Sequence, residues 1–204
     1  MSLRSRLRDR KQPEQPEPDL RPAGTVPAAW LPLRGAGCRR QADRMRADAA
    51  RSGPERKAHA LAKLQARHAE AWVASASASG TPHLVPLSAA WDGRTVIVSV
   101  GRRSLTARNI DASGKARLAL GQTGDVVMID ARLERSVNLA DAPPELAQAF
   151  ADQADWDPRH ARALPVSSDD GYIYLCLLPE RIQVWRNAPE HPGRTVMRAG
   201  QWVT

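Results

Sequence analysis

Residues 71–100 read AWVASASASGTPHLVPLSAAWDGRTVIVSV, and this stretch limits the fold more than any other. Its side-chain character changes with a period of two, and two turn signals divide it. AWVASASAS (71–79) alternates apolar or small residues with serine, and Ser79-Gly80 ends it. HLVPLSAAW (83–91) is a second strand. Pro86 confines that strand to an edge or a bulge, because proline has no N–H to give to a ladder. Asp92-Gly93 is a strong short hairpin signal, and TVIVSV (95–100) returns as the third strand. The two turns make a meander of three antiparallel strands, and more strand character follows along the chain.

KARLALG (115–121) and DVVMIDARLE (125–134) are strands separated by a break at Gly124. GYIYLCLLPE (171–180) is another, RIQVW (181–185) follows directly, and the C-terminus reads as a small hairpin turning at Ala199-Gly200. Helices interrupt this series. Ser52-Gly53-Pro54 opens one, with Leu61, Leu64 and His68 on its apolar face. Ser104 is an N-cap for a second, which carries Leu105, Arg108 and Ile110 and stops at Gly114. Pro143-Pro144 starts a third within ADAPPELAQAFADQ (140–153), and ADWDPRHARAL (154–164) continues as a turn and a short helix. Six or seven antiparallel strands with helices between some of them predict a mainly β domain built as a closed or partly closed barrel.

The chain has a net charge of +8, which invites a nucleic-acid reading. The distribution removes it from the domain. Residues 1–70 hold 16 Lys+Arg against 8 Asp+Glu, whereas residues 71–204 hold 14 of each. Residues 1–50 mix arginine with proline, glutamate and glutamine and show no apolar period, the composition of a disordered basic tail. That tail reads as solvated chain, as a start upstream of a true one at Met45, or as an arm touching an anionic surface. The domain proper is 51–204. No run of signal or membrane length is present, so no membrane partner is expected. Cys38 and Cys176 fall in the tail and in a strand, which fits a reducing, cytoplasmic setting without a structural disulfide.

GRRSLTARNIDASGKARLAL (101–120) follows the third strand with five basic side chains, two of its hydroxyls near its start, and a helix N-terminus. Free N–H groups, hydroxyls and a guanidinium together make an anion site. The same arginines would otherwise be a solvated helix face, and Asn109 would make local backbone bonds. No His-Cys-Asp-Glu set has metal spacing, and no Ser-His-Asp order carries an elbow. Trp72, Trp91, Trp156 and Trp185 would mostly fill the core of a chain with a single Phe. Cys176 and Met128 read as packing residues.

The strand series, the Trp-Asp-Gly hairpin, Arg-Ser-x-Thr-Ala-Arg-Asn-Ile and YIYLCLLPERIQVWR together resemble the pyridoxamine 5′-phosphate oxidase-like split-barrel family, in its flavin- and deazaflavin-dependent branch. The resemblance covers residues 58–204. It implies an antiparallel split β-barrel of the FMN-binding type, and a homodimer with cofactor sites at its seam. It also implies FMN or coenzyme F-420 as cofactor. By match, His83, Val85, Pro86, Leu87 and Ser88 would run along the cofactor ring. Ser99, Val100, Arg103, Ser104 and Thr106 would hold its phosphate, with Arg108 in support. Trp185 would lie near the partner's cofactor. The chain departs from true vitamin oxidases, which carry paired Arg-Lys where Leu105 and Thr106 stand here and basic residues in strand two where this chain has only His83. The expected activity is therefore hydride transfer to or from some other small organic molecule. The alternative is a carrier or sensor that binds the cofactor without turnover.

Overall fold

The computed structural model describes residues 50–154, 156–160, 171–186 and 188–203. The expected tail (1–50) lies outside these residues except for Ala50, and so do residues 161–164 of the turn and short helix expected over 154–164.

Alternation of buried and exposed positions shapes most strands. β1 (Glu70–Ala76) turns Ala71, Val73 and Ser75 inward, and β4 (Lys115–Gln122) does the same with Ala116, Leu118 and Leu120. β5 (Asp125–Asn138) buries Val127, Ile129 and Ala131. β2 (Pro82–Trp91) and β3 (Val96–Gly101) meet at the Asp92-Gly93 hairpin. There the Asp92 carboxylate accepts from the N–H of Arg94 and of Thr95, and Gly93 has a φ of 94°. β6 (Tyr172–Trp185) follows, then β7 (Thr195–Arg198) and β8 (Gln201–Trp202), joined by a turn in which Ala199 and Gly200 both have positive φ.

The strand order is β3-β2-β1-β4-β5-β6-β7-β8, all antiparallel, and a second pairing of β3 with β6 closes the first six into a barrel. Val73, Val98, Leu118, Ile129, Leu175 and Ile182 fill its interior. A second cluster lies outside the wall, where α3 (Pro144–Ala154) lays Leu146, Ala147 and Phe150 on Ile97, Tyr174 and Cys176. β3 is therefore buried on both faces, which explains why TVIVSV reads as an unbroken apolar run.

Three sequence expectations change. YIYLCLLPE and RIQVW are one strand: Arg181 pairs with Asp130 and Pro179 with Ala131, so Glu180 bulges out and the ladder resumes. Such a bulge is where a strand accommodates proline. β5 runs on to Asn138, four residues past its expected end, because β6 stays beside it. The first helix, α1 (Gly53–Leu64), has its expected start, with a capping box between Ser52 and Glu55. It buries Arg56, Ala60 and Leu64 rather than Leu61 and His68. The helix ends before His68, which is exposed at a φ of 55°.

Candidate functional site

β2 and β3 pair over only three residues each, Ala89–Val98, Ala90–Ile97 and Trp91–Val96. Beyond Ala89 they diverge. Residues 82–88 keep β1 as their one ladder partner, and residues 99–101 keep β6 as theirs. Each strand thus turns an edge without a strand partner toward the split. Pro86 sits on such an edge, paired with Trp72 on the side of β1, so its missing N–H leaves no gap between β2 and another strand.

A cavity of about 650 Å³ occupies the split. β2 lines it with His83, Val85, Pro86, Leu87 and Ser88, and β3 with Ser99, Val100 and Gly101. Ser104, Leu105 and Thr106 contribute from the start of α2 (Leu105–Ser113), and Trp156 and Tyr172 form another wall. Its volume lies in the range of sites for cofactors and small molecules. Among the described residues that line it there is no carboxylate, lysine or arginine, and His83 is the one imidazole.

The polar end is the start of α2. Ser104 is the N-cap, and its hydroxyl oxygen accepts from the Ala107 N–H at 3.1 Å. That bond uses a lone pair and leaves the hydroxyl proton to donate. The N–H groups of Leu105 and Thr106 belong to the first turn, where α-helical geometry gives no internal acceptor. The dipole of the helix adds to them. Gly114 ends α2 in the left-handed conformation at a φ of 66°.

Two of the arginines in this stretch lie elsewhere. Arg103 and Arg108 are exposed and are not among the lining residues. Arg102 donates to the Asn138 side chain. Trp185 closes β6 away from its own chain's cavity, with Arg194 over its ring at 5.6 Å and His191 edge-on at 6.2 Å. Asn109 is buried and donates to the Ser75 hydroxyl on β1, so its side chain ties α2 to a distant strand instead of making the local backbone bonds its residue type suggests.

The sequence matches the family model of pyridoxamine 5′-phosphate oxidase over residues 43–186, more than half of the chain. The chain belongs to this family. No curated protein matches it. Among solved structures, a heme binding protein from Mycobacterium smegmatis superposes with a TM-score of 0.50 at 17% identity, covering 75% of this chain and 60% of that one. General Stress Protein 26 from Bacillus anthracis gives 0.49 at 15%, covering 65% and 95%. An F-420 reductase gives 0.47 at 17%, covering 59% and 94%. These are likenesses of fold. The six-stranded closed barrel, with three α-helices among the described residues, is the split barrel of the pyridoxamine 5′-phosphate oxidase family, a flavin-binding, oxidoreductase-like group.

The sequence points to nine of the lining residues of this family member; Gly101, Leu105, Trp156 and Tyr172 complete the cavity. Tyr172 enters through register, opposite Gly101 across β3 and β6, which no local pattern reveals. Trp156 reads as core in the sequence, and half of that reading holds: its ring packs edge-on against Phe150 at 5.8 Å while it also lines the cavity. Among the described residues, no three His, Cys, Asp or Glu stand where they could hold a metal ion, and no helix is long and apolar enough to cross a membrane.

Proposed function

We propose that the protein is an oxidoreductase that binds FMN or coenzyme F-420 in the split between β2 and β3 and acts on a small organic substrate. The observation that carries this reading is the cavity itself. It combines two strand edges without ladder partners, an apolar lining and a helix N-terminus at one end. A flat heteroaromatic ring with amide-like edges and a phosphate on a tether fits that arrangement. The strand edges offer backbone donors and acceptors to the ring, and the first turn of α2 offers N–H groups and hydroxyls to the phosphate. Ser104 and Thr106 are the hydroxyl groups nearest in role, while the Ser99 hydroxyl donates to the Ile173 carbonyl oxygen. Arg103 and Arg108 supply long-range positive charge from outside the lining.

A cofactor of this kind supplies hydride transfer, so the chain needs no nucleophile and no acid–base pair. Its own residues bind and orient. Val85, Pro86 and Leu87 exclude water along the strand, and the α2 turn fixes the anionic end. A second copy of the chain, as the family resemblance implies, would cover the open side, with Trp185 reaching the partner's site.

The test is a fluorescence titration at fixed salt with FMN, riboflavin and coenzyme F-420. Thr106→Val keeps the shape and removes a hydroxyl. A hydrogen bond to a charged group is worth about 1.5–3 kcal/mol, so FMN should bind about ten- to a hundredfold more weakly. Riboflavin should bind as it does to wild type. Arg103→Ala should weaken FMN less than Thr106→Val, and Arg132→Ala, outside the site, should change nothing. Equal loss for FMN and riboflavin, or a Soret band from bound heme in place of flavin absorption, would contradict the reading. Turnover is separated from carriage by reducing the bound cofactor and adding electron acceptors. Faster reoxidation by at least one acceptor identifies an enzyme, and by none a carrier or sensor.

A further inference from the structure

Trp156 and Tyr172 form an aromatic corner that the family motif does not include. Their rings meet edge-on at 5.5 Å and 73°. Behind them Phe150 meets Trp156 at 5.8 Å and Tyr174 at 5.3 Å, so four rings run from the cavity wall into the cluster beneath α3. Phe150 and Tyr174 are fully buried, which fixes the two front rings from behind. Trp156 and Tyr172 themselves are half-buried and line the cavity. Aromatic side chains held rigidly lose little entropy on binding and present large flat contact areas.

Charge narrows what they can contact. Leu105, on the same cavity, is 52% exposed, although it stands at the first position of a helix, where a polar residue would be usual. With Leu87, Val100 and Pro86 it leaves this part of the site without an ionic partner among the described lining residues. A charged ring placed there would lose its hydration without compensation.

We propose that Trp156 and Tyr172 are ligand-contacting residues that select an uncharged, planar, conjugated ring, and that the anionic end of the same ligand sits at the start of α2. This rests on the reading of the cavity as a flavin-type site. The corner has a spectroscopic consequence. An indole or phenol in contact with an excited flavin passes it one electron and takes it back, with no bond made or broken, and the emission is lost.

The experiment is steady-state and lifetime fluorescence of FMN bound to the full chain, in wild type, Trp156→Phe, Tyr172→Phe and the double variant. Phenylalanine keeps an aromatic wall and is a far poorer donor, so folding and binding should persist while emission changes. The expected result is quenched FMN in wild type and a severalfold recovery in the double variant, with little change in affinity. Pyridoxine 5′-phosphate, which shares the phosphate but has a small, ionised ring, should compete with FMN only at concentrations at least a hundredfold higher than riboflavin 5′-phosphate analogues require. FMN emission that is equally quenched, or equally bright, in all four proteins overturns the assignment of the corner and leaves the cofactor site standing. Failure of wild type to bind either FMN or coenzyme F-420 overturns both.

Discussion

Glu190 has no exposed side-chain surface, yet it is ionised. Burial by itself would raise its pKa. The Arg51 guanidinium and the backbone N–H groups of Arg51 and Arg186, at 2.8–2.9 Å, outweigh that and hold it at about 2. Arg51 also pairs with Asp125 at 2.8 Å, so the start of α1, the β4–β5 turn and the loop before β7 meet at one guanidinium. The folded-state pKa lies below the ordinary carboxylate value of 4.5, so this clasp is fully present above about pH 4.5 and is lost as pH falls from there toward 2. Arg51→Ala strands a buried charge and should cost roughly 3–5 kcal/mol in urea unfolding at pH 7. Glu190→Gln should flatten the stability profile between pH 4.5 and 2, and an unchanged profile there would show that the carboxylate is not held by these bonds.

At the scale of elements, turns and caps were the most legible parts of the sequence, because their chemistry is local. Asp92-Gly93, Ser104, Gly114 and Gly200 stand where their residue types demand, whereas Ala199 holds a φ of 49° that alanine disfavours. Gly121 carries the same logic further. Its φ is 92°, and a Cβ there would stand 2.5 Å from the Asp125 carbonyl oxygen. Gly121→Ala should therefore lower stability by more than the roughly 1 kcal/mol that glycine-to-alanine strain alone costs, and a melting scan against Gly80→Ala, where the space is open, separates the two effects. What local chemistry does not carry is register. The continuity of β6 through Pro179, the pairing of Tyr172 with Gly101 and the divergence of β2 from β3 depend on partners far along the chain. The candidate site was legible where it lies on β2, β3 and the α2 turn, and hidden where Trp156 comes in from beyond the end of α3 and Tyr172 from β6.

For the whole molecule, the outer face of β1, β2, β4 and β5 bears on assembly. Trp72 is 51% and Leu84 58% exposed there, and with Ala74, Ala119 and Met128 they line a groove of about 350 Å³. Arg117 lines it too and is held by Asp130 at 2.5 Å, the carboxylate that Arg181 also binds. We propose that a second copy covers this face with two-fold symmetry, as the split-barrel resemblance implies. Leu84→Glu should then shift the protein from dimer to monomer in light scattering at micromolar concentration, without lowering its helix and sheet content. A wild-type protein that is monomeric under those conditions would remove the dimer from the account. The central claim, that the split between β2 and β3 is where the ligand goes, is tested most directly by amide hydrogen exchange with and without FMN. Protection of residues 83–88 and 99–106, with the β7–β8 hairpin unchanged, is the predicted result. FMN that binds without slowing exchange in those two segments would contradict it.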